Sequence, residues 1–356
     1  MLKNRILALL ALFVGTVFVS GCSLTVGQPQ KTVDETLTAG IFKTVDRGLT
    51  WQQLGWVPTV GDKKVNLFGM NTSVLVADPS DAKAFYLGSF ADGIFYSYDA
   101  GGSWQVMRAL GQKAIIDIAV DPKNKCAIYA ATVGRIFKTL DCGRNWQEVY
   151  SDNDKRMLIY SVVVDHYNSD NIYIANARGD VIKSEDAGKT WRTLSNFKNE
   201  VKKLVMDPKD SRTLIAVVYG KGLFKTTDGG NNWQDLTPRL KIVKADRGFR
   251  DLVASPSDSG FYLLAVDYGL FKTANYGEDW TEINLIPPER KSYINALAID
   301  NFNNKVIYYD TDTTFYATID GGQNWSSLKL PSPRKGSKIL TSSVKDGAVY
   351  LGVKTQ

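Results

Sequence analysis

One octet, Ser/Thr-x-Asp-x-Gly-x-polar-Trp, occurs seven times along this chain. The copies begin at Thr44, Ser97, Thr139, Ser184, Thr226, Thr273 and Thr318 and end at Trp51, Trp104, Trp146, Trp191, Trp233, Trp280 and Trp325. Seven of the eight Trp residues share this register, and only Trp56 lies outside it. Successive motif Trp residues are 53, 42, 45, 42, 47 and 45 positions apart, the spacing of a four-stranded propeller blade of about 40–50 residues. The acid position reads Asp46, Asp99, Asp141, Asp186, Asp228, Asn275 and Asp320. An Asp early in a turn accepts hydrogen bonds from backbone N–H groups just downstream. Gly takes a left-handed conformation that other residues resist, and Trp buries a large ring against a neighbouring blade. These acids are therefore read as structural, not catalytic or metal-binding.

The rest of each unit fits the same reading. An apolar strand ends in Asp-Pro or a variant, as at Asp78-Pro79, Asp121-Pro122 and Asp207-Pro208. A short turn, a second strand such as Ala127–Ala131, a Gly-containing turn and a strand such as Gly222–Thr226 follow, with turn signals every 8–12 residues or so. The expected fold is all-β: a single seven-bladed β-propeller with four antiparallel strands per blade. The first motif is preceded by too little chain for a whole blade. Residues 338–344 and 348–353 read as its two missing strands, since Val349–Gly352 matches Phe85–Gly88. The C-terminus is thus expected to complete the first blade, and closure of this kind removes open sheet edges.

The N-terminus has a basic start (Lys3, Arg5), an apolar run over residues 6–19 and then Gly21-Cys22. The run is shorter than the ~20 residues a spanning helix needs and suits a signal sequence. Val19–Cys22 resembles the bacterial lipobox, which implies lipid attachment at Cys22 and anchoring without spanning. The expected organisation is a signal peptide over 1–21, a lipidated tether over 22–36 and the propeller over 37–356, on an extracytoplasmic membrane face. In such a compartment Cys126 and Cys142 are permitted to pair. Both fall on one face of the same blade, and from sequence a disulfide and two buried thiols both stay open.

The net charge of +6 is too mild to suggest nucleic-acid binding. Its distribution is uneven. The inter-blade segments 56–68, 107–114, 150–158, 195–203, 237–251, 284–294 and 329–338 together carry +13. Their face, opposite the motif turns, is expected to be basic and to attract an anionic partner. The candidate partner-binding residues are Arg239, Lys241, Lys244, Arg247 and Arg250, with Arg135, Arg178 and Lys221 from the inner turns, partly offset by Asp92, Asp180, Asp267 and Asp312.

The octet resembles the Asp-box, or bacterial neuraminidase repeat, at every defining position except Asn275. The resemblance spans nearly the whole mature chain. Sialidases, xyloglucanases, sortilin-type receptors and photosystem II assembly factors carry this repeat, so it implies fold rather than activity. With the lipobox and the basic loops, strands such as Leu223–Trp233 resemble those of the photosystem II assembly and stability factor family and its non-photosynthetic relatives. That resemblance implies a monomeric, non-enzymatic scaffold without cofactor or metal, holding an extracytoplasmic or membrane protein with an acidic surface.

The competing expectation is a carbohydrate-active enzyme or glycan-binding protein. Arg135-Ile136-Phe137 lacks the proline of the sialidase Arg-Ile-Pro element. Asp92, Asp267 and Asp312 approach the channel, yet nothing in the sequence pairs them as glycosidase carboxylates must be paired. The one histidine, His166, reads as a turn residue.

Overall fold

The computed structural model describes residues 38–58, 66–240, 248–267, 269–286 and 293–355. They form seven four-stranded antiparallel sheets. Helical geometry among them is confined to single 3-10 turns at Arg108–Leu110 and Thr237–Arg239. Blade 1 combines Gly40–Thr44 and Gln52–Leu54 with the C-terminal strands Lys335–Thr341 and Val349–Lys354. Blades 2 to 7 each take four consecutive strands. Their innermost ones are Thr72–Asp78, Asp117–Asp121, Ile159–Val164, Val201–Met206, Phe249–Ala254 and Ala296–Ile299. The inner strands neighbour one another in cyclic order, with blade 1 between blades 7 and 2. The expected split first blade is present. Its inner strand begins at Lys335 rather than 338, because the ladder continues past a bulge to pair Gly336 with Val353 and Lys335 with Lys354.

The octet builds one hydrogen-bonded cage seven times. The Ser/Thr hydroxyl accepts from the motif Gly N–H, as in Gly48 to Thr44 (2.8 Å) and Gly322 to Thr318 (3.1 Å), and donates to the acid, as in Thr44 to Asp46 (2.7 Å). The acid in turn accepts the N–H and the side chain of the polar residue before Trp, as from Asn145 to Asp141 at 2.9 and 2.7 Å. The sixth copy swaps the chemistry: Asn275 donates its amide to Asp279 (2.9 Å) while accepting the Asp279 N–H (3.0 Å). Asn275 thus departs from the motif together with its partner, and the cage survives.

A second sevenfold contact joins the blades. The residue three after each motif Trp is apolar: Leu54, Met107, Val149, Leu194, Leu236, Ile283 and Leu328. Each packs on the motif glycine of the next blade, from Leu54 on Gly101 round to Leu328 of blade 7 on Gly48 of blade 1. A Cβ there would lie 2.2–3.3 Å from that side chain, and these glycines have φ of +84° to +95°. Close approach and backbone conformation therefore both demand glycine. Second strands such as Ile172–Asn176, Leu214–Val218 and Tyr262–Val266 are buried throughout. The core consists of apolar layers between adjacent blades, each fully buried large side chain contributing about 1.5–3 kcal/mol.

Candidate functional site: the channel mouth

Chain direction sorts the turns onto two faces. Turns between first and second strands and the motif turns lie at one end of the blades. Turns between second and third strands and the inter-blade links lie at the other. The motif turns thus lie at the opposite end from the inner-turn candidates Arg135, Arg178 and Lys221.

At the loop end, five inner strands carry a β-bulge, at Ser73, Tyr160, Lys202, Arg250 and Ser337. Bulges re-aim side chains at sheet edges and rims. Just below them lies one register-equivalent position in all seven blades, occupied by Val74, Asp117, Ser161, Lys203, Asp251, Ala296 and Lys338. Lys203 ion-pairs with Asp251 of the next blade. Burial opposes the Asp251 carboxylate, but Lys203 and Lys338 more than offset it, and its pKa falls. Burial pulls Lys203 down. It also lifts Asp117, although Asp117 accepts the Val162 N–H at 2.9 Å. The channel neck therefore holds two acids and two lysines in one layer. Sequence reasoning missed it, since these residues align only once strand register is known.

The structure spreads Arg135, Arg178, Lys221 and Arg250 over the mouth end of blades 3, 4, 5 and 6, and gives each a local partner. Arg135 ion-pairs with Glu148 (3.3 Å). Arg178 bridges the nearly buried Asp152 (2.9 Å) and Asp180 (3.3 Å). Lys221 donates to the Phe197 carbonyl (2.7 Å). Arg250 bonds Asp267 (2.6 Å) and stacks 3.9 Å over the Tyr293 ring. Arg239 is not brought to them: its 3-10 turn follows the outer strand of blade 5, and it pairs with Glu278 in the motif turn of blade 6 (3.6 Å). Cys22, Lys241, Lys244 and Arg247 lie outside the described residues. Exposed aromatic and apolar side chains also stand on this face. Phe90, Val133 and Tyr219 occupy equivalent turn positions in blades 2, 3 and 5 at 50, 38 and 53% exposure. Lys202 lies 4.1 Å from the Tyr160 ring centre and 5.5 Å from that of Tyr219.

Of the carboxylates weighed from sequence, Asp92 accepts from Ser89 (2.7 Å), Asp267 binds Arg250, and Asp312 accepts from Asn295 (2.9 Å). The acid with unusual chemistry is Asp310. It stands where the other blades have Gly88, Ala131, Ala175, Val217, Ala265 and Gly352. It fits because Gly336 has no Cβ, which would lie 2.0 Å from its Oδ2. That oxygen accepts the Gly336 N–H (2.9 Å), Oδ1 has no hydrogen-bond partner among the described residues, and burial pushes the carboxyl up to about 8. A charged residue in a column of small ones was its signal in the sequence. On the motif face, Cys126 and Cys142 form a disulfide. His166 sits in the turn after Asp165, its ring tilted against that of Tyr167.

Fold and motif together define the class: a seven-bladed propeller built from Asp-box repeats. A family model described as sortilin, neurotensin receptor 3, matches residues 134–247. A probable oligoxyloglucan-reducing end-specific xyloglucanase of Neosartorya fischeri is 24% identical over 216 residues, which is 55% of this chain and 22% of that protein. The GH74 xyloglucanase of Xanthomonas campestris superposes with a TM-score of 0.64 at 15% identity, over 85% of this chain and 52% of its own. This chain thus spans under a quarter of the curated relative and about half of that enzyme. YCF48 from Cyanidioschyzon merolae superposes at 0.60 with 14% identity, over 80% of this chain and 96% of its own. A YCF48 bound to D1 peptide gives 0.62 with 16% identity, over 80% and 92%. At these identities the solved structures share the fold.

Proposed function

We propose that this protein is a non-enzymatic scaffold or assembly factor that holds a protein segment against the loop face of its propeller. The observation that carries this reading is the mixed surface of that face. Exposed Phe90, Val133 and Tyr219 share that face with the guanidinium groups of Arg135 and Arg250. Such a combination of apolar anchors and planar cations suits an extended segment bearing carboxylates. The YCF48 bound to D1 peptide supports a peptide as the kind of partner. The same proposal puts the chain on an extracytoplasmic membrane face, anchored by lipid at Cys22.

Cross-linking and capture from native membranes tests it. A specific protein should be recovered with the intact chain, with yield falling at high salt and on Arg135→Glu with Arg250→Glu. Undiminished yield from the charge-reversed chain would sink the proposed surface. Cys22→Ser should release the chain into the soluble fraction, and continued membrane retention would remove the anchor.

A second reading, a carbohydrate-active enzyme, is favoured by the similarity to the Neosartorya fischeri protein. A proton-holding Asp310 two residues from Asp312 has the acid–base asymmetry glycosidases use, but Asp310 is fully buried and bonded to the Gly336 backbone. Release of reducing ends from xyloglucan oligosaccharides, abolished by Asp312→Asn, would establish this reading over the first.

A further inference from the structure

The last described strand of the chain forms its own cationic feature at the mouth. Past the bulge in blade 1, Lys335 pairs directly with Lys354 across two adjacent strands. Directly opposed residues of an antiparallel pair project to the same side of the sheet, a few ångströms apart, and like charges there are destabilising. Both lysines are half-buried. Neither has an ion-pair partner among the described residues, unlike Arg135, Arg178, Arg239 and Arg250 on the same propeller.

The acid closest in influence is a weakened counter-charge. Asp310 bonds to Gly336 on the adjoining strand, and burial pushes its carboxyl up to about 8. Burial, then Lys335, pulls the Lys354 pKa down, and Asp310 offsets this only in part. Next along the strand, Lys338 belongs to the channel-neck layer and adds a third ammonium on this side of the mouth. Asp312, on the neighbouring turn, is engaged by Asn295. Two lysines at directly opposed positions repel, and an anion that binds between them relieves that repulsion. A monoanion would leave one charge uncompensated, whereas a dianion compensates both. Lysines, as compact point charges, suit a tetrahedral oxyanion.

We infer that the Lys335–Lys354 pair is a binding site for a dianionic oxyanion of the phosphate class. Free phosphate and the phosphomonoester headgroup of a lipid offer the same chemistry. The site stands on different residues from the arginines of the protein-binding reading, so either can fail alone.

The test uses the full chain at pH 7 and constant ionic strength. One arm titrates inorganic phosphate against chloride, by calorimetry and thermal melting. The other measures flotation with phosphatidylcholine vesicles with and without phosphatidic acid. Saturable binding in either arm is expected, and the arm that responds identifies the source. K335M or K354M should weaken it by roughly tenfold or more, the loss of one of two charge-assisted contacts. Each variant removes a repulsive charge, so its melting temperature in chloride should equal or exceed the parent's, which guards against misfolding. Absence of binding in both arms, or binding undiminished in both variants, overturns the assignment. Capture of a protein partner that persists in K335M and K354M leaves the scaffold reading intact whichever way this falls.

Discussion

The two faces of this ring are made from the same seven repeats and obey different rules. On the motif face each copy builds the same cage, and every bond in it joins residues four or fewer positions apart. On the loop face one register position reads Val, Asp, Ser, Lys, Asp, Ala and Lys round the ring. Where backbone strain and close packing dictate the residue, the repeats agree. Where a side chain meets solvent or the channel, they diverge, and distinct chemistry appears. The motif face varies too at the free positions of the octet. The residue before each acid is exposed and apolar in Ile319, Val45, Tyr98 and Leu140, but is Glu185 in blade 4.

The faces also respond to pH in opposite directions. The motif acids are held down by local hydrogen bonds, Asp141 to about 2 from 3.8. Their contribution is complete above the unfolded value and is lost as pH falls toward about 2. Asp310 is raised, so the folded chain keeps a proton that the unfolded chain has released. Stability therefore declines as pH rises from 3.8 toward about 8.

The largest effect expected is on the motif side. Trp104 is fully buried between blades 1 and 2, and Trp104→Ala should cost about 3–5 kcal/mol in denaturant unfolding. A loss below ~1 kcal/mol would show that motif packing does not carry the ring. Next comes Asp310→Asn on the loop side. It should reduce the decline in melting temperature between pH 5 and 8 (roughly the window set by the two pKa values) and stabilise the chain at pH 7. A variant that kept the decline would move its cause elsewhere. A smaller effect tests the cage. Asn275→Asp sets two carboxylates against each other across the turn and should lower stability by about 0.5–1 kcal/mol. Adding Asp279→Asn should restore it, and failure of that rescue would deny the reciprocal bond. Smallest is Arg135→Glu, within about 0.5 kcal/mol of the parent because its Glu148 pair is exposed. Partner capture should nonetheless fall, separating the face that holds the fold from the face that acts.

Much of the loop face was legible only as composition. The excess of Lys and Arg in the inter-blade segments is visible in the chain, but which of them stay charged and unpaired is not. Arg178 meets Asp152, 26 residues away, and Arg239 meets Glu278 of the next blade. Of the candidates chosen by density in residues 237–251, Arg239 is tied to Glu278 and Arg250 to Asp267, while Lys241, Lys244 and Arg247 lie outside the described residues. Lys335 and Lys354, which have no ion pair among the described residues, come from strands that looked merely like the missing half of blade 1.

By itself the sequence determined the number of blades, the split that closes the ring and the cage in each turn. All of these rest on contacts within a few residues or on a spacing repeated seven times, so they are written in local order. Only the tertiary structure decided which charges share the channel neck, that Asp310 lies buried over Gly336, and that two lysines face each other at the mouth. Those depend on strand register and on which blades adjoin, and a bulge of one residue resets them.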